Sequence, residues 1–382
     1  MAPTGLWLIG ARGSVATTAI TGLLALRSGI VPGVGCVSAQ QQFRKVPLPE
    51  WDEIHVGGHD IVDTPLEKRA ELLAESGVIP HRIFEAVRPS LSEVEDNIRP
   101  GYHPATHAGT QSDAARTLTD DITAFARRNG LARVVVINVS STEPVFPALP
   151  EHGSLDTLEA AMAVPGRTVL PPSSVAVYAA LRAGCPFVDF TPSTGIRLAA
   201  LQELAKKQRL PYAGSDGKTG ETLMRSALAP MFTTRALAVR SWTGTNLLGG
   251  GDGRTLADAE HASSKLQSKG RGLSTLLGRE VTAPLHIDNV PDLGEQKIAW
   301  DHVSFEGFLG VRMSLQFTWT GYDSSLAAPL VLDLARFTAA AHAAGHTGPL
   351  GSLAFFFKDP MGTDEHRLGE QFANLVSWAE TL

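Results

Sequence analysis

Two loops and a pair of lysines carry the residues whose types and spacing can do chemistry. Gly10-Ala11-Arg12-Gly13-Ser14-Val15-Ala16 lies between a short apolar run, GLWLIG, and a segment with apolar residues at helical spacing. A glycine turn there lets backbone approach a pyrophosphate at the positive end of a helix. The pattern is G-x-x-G-x-x-A rather than the full G-x-G-x-x-G, so a purely structural tight turn stays open beside dinucleotide binding. A second loop, Gly214-Ser-Asp-Gly-Lys-Thr-Gly-Glu-Thr222, also precedes a helical stretch. Its small residues, hydroxyls and lysine would suit a phosphate. It does not match G-x-x-x-x-G-K-[ST], which argues against nucleoside triphosphate hydrolysis. Lys265 and Lys269 are four apart and share one face if helical. Without a bound anion they would repel by roughly 0.2–0.5 kcal/mol. By residue type alone, such a pair is solvated surface.

Other residues are less telling by themselves. No acid closes GVGCVSAQQQF, where a ribose partner usually sits; Asp60 in GGHDI is the nearest candidate, on a later turn, with a loop acid or helix cap as its rival. Lys358 follows AFFF, an odd place for a solvent-facing lysine unless it caps a strand. The 12 histidines are scattered with no H-E-x-x-H helix, which argues against a catalytic zinc.

The elements that must position these residues alternate. GLWLIG, GVGCVS, WDEIHVGGHDI, VVVINV, CPFVDF and LPYAG read as short strands. Between them fall helical stretches: ARGSVATTAITGLLALRSG, TPLEKRAELLAESGVI with Thr64 as cap and Pro65 at the first position, SSVAVYAALRAG, IRLAALQELAKKQRL and TGETLMRSALAPMF. VVVINV is apolar on both faces, as a buried parallel strand requires. The fold class is therefore α/β, with a doubly wound parallel sheet. Near Arg235 the character changes: ALAVRSWTGTNLLGG and KIAWDHVSFEGFLGVRMSLQFTWTGYD alternate with period two, as in a mixed or antiparallel sheet. After Asp323 a long helix, APLVLDLARFTAAAHAAG, is expected to rejoin the first sheet.

Composition excludes several classes. With 382 residues, 43% hydrophobic and 19% charged, the chain can bury a large core. A net charge of −6 and no Lys/Arg run argue against nucleic acid as partner. No apolar run is long enough to span a bilayer, so no membrane association is expected. Two cysteines, Cys36 and Cys185, cannot form a disulfide scaffold and read as buried thiols of a cytoplasmic protein.

GSDGKTGET, then NLLGGGDG, then SSKLQSK, together resemble the inositol-3-phosphate synthase family, whose pattern is G-D-D-x-K-S-G-Q-T, N-x-L-G-N-x-D-G and S-K-x-x-S-K. QKIAWDHV, TGYDSS and a late apolar strand LAFFFKDP extend the match, and the opening glycine turn, GGHDI, NVSSTEP and PFVDFTPS fall where the family binds its cofactor. The resemblance implies a Rossmann-type domain built from residues 1–219 and 325–382, around an inserted α+β catalytic and oligomerisation domain over 220–324. It implies a homotetramer, tightly bound NAD and a sugar phosphate substrate. It further implies cofactor contacts from Gly10, Ala11, Arg12, Gly13, Ser14, Val15, Asp60, Ser141, Thr142, Asp216, Asp252, Asp323 and Ser324. The three acids of the later turns could also hold a monovalent or divalent cation.

The family reaction is redox-neutral. Hydride leaves C5 of glucose 6-phosphate for NAD, C6 is deprotonated and attacks the C1 aldehyde, and the hydride returns. Lys265, Lys269, Lys297 and Lys358 are implied as the catalytic cluster. Compact ammonium charges suit alkoxide and enolate oxygens. Lys265 and Lys358 are assigned to the C5 and C1 oxygens. Lys269 and Lys297 are assigned to the phosphate, with the amides of Thr219, Gly220, Glu221 and Thr222. The chain departs from the pattern at Ser215, at Glu221 in place of Gln, and at Gly250 and Gly251 in the turn, which lose side-chain amides. These departures leave open fructose 6-phosphate closing to a five-membered ring. A plain NAD-dependent sugar-phosphate dehydrogenase is the rival enzyme class, and an NAD-binding regulator the non-catalytic one.

Overall fold

A computed structural model describes residues 2–249 and 273–382. Strands β1 (Thr4–Ile9), β2 (Ile54–Asp60), β3 (Ile98–Pro100), β4 (Arg133–Asn138), β5 (Phe187–Asp189) and β6 (Pro211–Gly214) lie in one parallel sheet. Strands β7 (Ala238–Leu248), β8 (Leu285–Asn289), β9 (Lys297–Glu306) and β10 (Arg312–Gly321) form a second, mixed sheet in the order β10-β9-β7-β8. A short β11 (Gly348–Pro349) returns to the edge of the first, whose order is β11-β6-β5-β4-β1-β2-β3.

Period two decides what each face of the first sheet buries. Val135 and Ile137 of β4 join a core with Leu6, Leu8, Ile20 and Phe337. Val134 and Val136 join a separate core with Trp7, Phe125 and Phe187 on the other face. Helices α1 (Ser14–Arg27), α2 (Leu66–Glu75) and α3 (His81–Glu95) cover the first face. Helices α4 (Gln111–Arg128), α5 (Leu155–Met162), α6 (Pro172–Arg182) and α7 (Ala199–Lys207) cover the second. Helix α8 (Gly220–Thr234) leads to the second sheet, and its Phe232 packs with Trp242 and Val303 in a third core. Helix α9 (Asp323–Ala343) then returns to pack beside α1, and α10 (Leu368–Ala379) closes the described chain. Strand order reverses between β1 and β4, so the loops after β1, β4, β5 and β6 open on the crevice where such sheets bind ligands.

The structure differs from the local expectations at four places. GVGCVS is not a strand: Val37–Ala39 is a 3-10 turn, fixed by the Asp333 carboxylate, which accepts the amides of Val37 (2.7 Å) and Ser38 (3.0 Å). The second strand of the sheet is therefore β2, and Asp60 ends it rather than sitting on a later turn. Helix α2 begins at Leu66 after Pro65, without Thr64 as cap; Glu95 accepts the Leu66 amide at 2.7 Å instead. The apolar run before Lys358 is a 3-10 turn, Gly351–Phe356, because its Leu353, Ala354 and Phe356 are buried around a tight coil.

Candidate active site

The first glycine turn is built for close approach. Gly10 has φ +85°, and a Cβ there would lie 2.8 Å from Ser140 Cα in the loop after β4. The amides of Gly10 and Ala11 donate to the His59 carbonyl at 2.9 and 3.2 Å. Gly13 is the N-cap of α1 and supplies no side-chain cap, so the first amides of the helix, at Ser14 and Val15, face the crevice as an anion site would require. These features fit a dinucleotide pyrophosphate. Asp60 accepts the Arg12 amide at 2.6 Å and the Val62 amide at 2.8 Å, so it first of all holds the turn; its remaining lone pairs permit a ribose hydroxyl as well. The Arg12 guanidinium is engaged elsewhere, by Glu95 and by the Val62 carbonyl at 2.7 Å.

Beyond β4, Asn138 ties the neighbouring loops together. Its amide donates to Asp189 Oδ1 (3.3 Å) and Thr191 Oγ1 (3.2 Å), and its Oδ1 accepts the Ser140 hydroxyl (2.7 Å). Burial pushes the Asp189 carboxyl up to about 7. Ser141 is exposed and Thr142 half-buried on the loop that follows.

The second loop is clamped to the segment that carries Lys358. Ser215 and Asp359 exchange backbone hydrogen bonds, the Lys358 amide donates to the Asp216 carbonyl at 2.7 Å, and the Lys218 amide donates to Phe356 at 2.8 Å. Asp216 takes φ +63°, a left-handed conformation that a residue with a side chain keeps only when its surroundings fix it. Its Oδ1 accepts from Lys358 Nζ at 2.8 Å. Ser215 accepts from Arg197, which also pairs with Asp359 at 2.7 Å.

At the far end of the same loop, Thr219 is the N-cap of α8 without a side-chain cap. Gly220 has φ +46°, and a Cβ there would come within 3.4 Å of Asp323 Oδ1. Asp323 Oδ2 accepts from Lys297 Nζ at 2.8 Å. Thr222 follows in the first turn of α8, and Ser324 is buried in the first turn of α9. The structure thus brings Asp216, Lys358, Thr219, Gly220, Asp323 and Lys297 to one loop. Lys265, Lys269 and Asp252 lie outside the described residues. Among the described residues, no three His, Cys, Asp or Glu side chains gather as a metal site would need.

Glu221 does not face the loop. Its carboxylate is buried between Arg225 Nη2 (2.6 Å) and Asn246 Nδ2 (2.7 Å). Nor does Lys218 serve a phosphate, as its place in the loop led us to expect: the side chain is buried and donates to Gln371 Oε1 on α10. Burial pushes its ammonium down to about 7. Asn138 and Arg225 are residues that the sequence does not single out. For Arg225, its i,i+4 spacing from Glu221 was the available signal.

A parallel sheet with its glycine turn at the switch point, and a second sheet delivering a lysine–acid pair to a neighbouring loop, define a dinucleotide-dependent enzyme of two sheets. The chain belongs to the myo-inositol-1-phosphate synthase family, whose model matches residues 4–379. It is 35% identical to inositol-3-phosphate synthase 1 of Bacteroides thetaiotaomicron, over 95% of this chain and 90% of that one. It is 29% identical to inositol-3-phosphate synthase of Spirodela polyrhiza, over 76% of this chain and 60% of the longer plant protein. The fold matches the crystal structure of inositol-3-phosphate synthase from Caenorhabditis elegans, with TM-score 0.87 and 22% identity, over 100% of this chain and 86% of that one. It also matches a myo-inositol-1-phosphate synthase-related protein from Thermotoga maritima, with TM-score 0.80 and 22% identity over 98% of both chains. The family is one of NAD-binding isomerases of the intramolecular lyase type.

Proposed function

We propose that the chain closes glucose 6-phosphate into an inositol phosphate by an intramolecular aldol reaction with no net redox change. The observation that carries this reading is the loop 214–222, held by the Lys358–Asp216 pair at one end and flanked by the Lys297–Asp323 pair at the other. When bound, NAD supplies the acceptor for the C5 hydride and its donor after ring closure. Lys358 offers its ammonium to an oxygen that gains charge as the ketone and enolate form, with Lys265 as its partner. Asp216 fixes the direction of that ammonium. Lys297 and Lys269 hold the phosphate with the amides of Thr219, Gly220, Glu221 and Thr222, at the uncapped end of α8.

Two of the departures from the family pattern support glucose over fructose 6-phosphate. Ser215 and Glu221 are both buried against arginines, so neither side chain reshapes the substrate side of the loop.

The second sheet is read as the assembly module of a homotetramer. Its β9–β10 turn exposes Phe308, Leu309 and Val311, an apolar tip that a partner subunit would cover. A cytoplasmic setting accords with two buried thiols, and no described helix is long and apolar enough to cross a membrane.

The test is to incubate the protein with NAD and glucose 6-phosphate, or with fructose 6-phosphate, and read products by NMR and absorbance at 340 nm. A six-membered cyclitol phosphate isomeric with glucose 6-phosphate, with no net NADH, is expected. Accumulating NADH would instead mark a dehydrogenase, and a five-membered ring from fructose 6-phosphate would overturn the substrate assignment.

A further inference from the structure

We propose that Arg225 is a positioning residue that holds the Glu221 carboxylate out of the phosphate cradle and locks the cradle to the second sheet. The inference rests on the phosphate site proposed above. Glu221 sits in the first turn of α8, among the amides assigned to the phosphate. A carboxylate there would oppose a dianion in a poorly solvated place.

The structure removes it from that position. Glu221 Oε1 is 2.6 Å from Arg225 Nη2, one helical turn on, and Oε2 accepts from Asn246 Nδ2 at 2.7 Å. The same guanidinium nitrogen lies 3.3 Å from Asp301 Oδ1, which also accepts from Trp242 Nε1 at 2.7 Å. All five side chains are buried, Glu221 at 2% exposure and Asp301 at 0%. Two acids share one guanidinium, and burial followed by the Glu221 charge raises the Asp301 carboxyl above its ordinary range.

The connection reaches Lys297. Asp301 pairs with Gly244 in β7, and Lys297 opens the same strand β9 four residues earlier, on the same face. Arg225 therefore joins three things in one contact set: the first turn of α8, the strand that carries Lys297, and, through Asn246, the strand β7. Without the guanidinium, Glu221 keeps Asn246 but loses the Arg225 charge that turns it from the substrate phosphate.

The test measures KM and kcat for glucose 6-phosphate, and calorimetric binding of inorganic phosphate to the NAD-loaded protein, in R225M, R225K and the double variants E221Q/R225M and E221Q/R225K. Melting temperature serves as the folding control. R225M is expected to raise KM and the phosphate Kd by about ten-fold or more, with kcat changed far less. R225K, which keeps a charge but cannot fork to both acids, gives a smaller rise. Each double variant is expected to bind several-fold more tightly than its single parent, because the opposing carboxylate is gone. If R225M does not fold, the R225K pair gives the same comparison. Unchanged KM in the Arg225 variants, or double variants no tighter than the single ones, would overturn the proposal. Phosphate binding without turnover in the parent protein would sink the reaction reading and leave this one standing; no phosphate binding at all would sink both.

Discussion

Lys358 Nζ and Asp216 Oδ1 are 2.8 Å apart, and Asp216 Oδ2 is buried with no hydrogen-bond partner among the described residues. The pair is nearly dry, so the acid is an effective constraint on the ammonium. Lys358→Ala should lower kcat by about 10²–10³-fold, the scale of losing one charge-stabilising donor. It should also lower the melting temperature, since an unpaired carboxylate is left inside. NAD binding, followed by quenching of intrinsic fluorescence, should persist. Parent-like turnover would remove Lys358 from the chemistry.

Lys297 meets Asp323 at the same distance, 2.8 Å, but with more solvent around both side chains. Its assigned partner is the phosphate, present in ground and transition states alike. Lys297→Ala should therefore act chiefly on KM, raising it roughly 10- to 100-fold for a lost charged hydrogen bond. Steady-state kinetics decides it: an unaltered KM with depressed kcat would move Lys297 from binding to catalysis.

Gly58 tests the cofactor turn without removing a polar side chain. A Cβ there would lie 2.3 Å from the Leu8 carbonyl oxygen and 2.7 Å from Ala11 Cβ. Gly58→Ala should push β2 from β1, displace the 10–13 turn and cost about 1–3 kcal/mol. Calorimetry should show NAD affinity falling with stability; unchanged affinity would mean that the turn is not the pyrophosphate seat.

Lys218 provides a pH signature. Unfolded, its ammonium titrates at the ordinary 10.5; folded, near 7. Between those values the unfolded chain binds more protons, so this group makes stability rise as pH climbs from about 7 to about 10.5. Below about 7 the cost of the buried charge is carried in full. In Lys218→Met, melting temperature against pH should lose that upward contribution. Parallel profiles for parent and variant would show that the amine is not desolvated.

Much of the fold was legible because burial follows local pattern. VVVINV could only be a strand covered on both faces, and the change to alternation after Arg235 marked the second sheet. GVGCVS misled because its shape is set by a carboxylate almost 300 positions away, Asp333, which no local window contains. The same error put Asp60 on a later turn, since a false second strand displaced the true one. At the site, the loop 214–222 and Lys358 were visible as types in sequence, but their meeting is made by backbone pairing between Ser215 and Asp359. The orientation of Glu221 was not legible either. It depends on Asn246 and Asp301, which come from two strands of another sheet.

The apolar tip at Phe308 and Leu309 predicts assembly. A Phe308→Glu, Leu309→Glu variant should dissociate to smaller species in light scattering after gel filtration, while its circular dichroism stays that of the parent. A parent protein that runs as a monomer would contradict the tetramer.

In the proposed reaction, hydride leaves C5 of the substrate and comes back within one active site. Glucose 6-phosphate carrying deuterium at C5 tests it directly, with the cyclitol product read by NMR and mass spectrometry. The deuterium is expected to stay in the product, on the carbon that was C5, with none left in the free cofactor pool. Loss of the label to solvent, or its accumulation in released NADH, would contradict it.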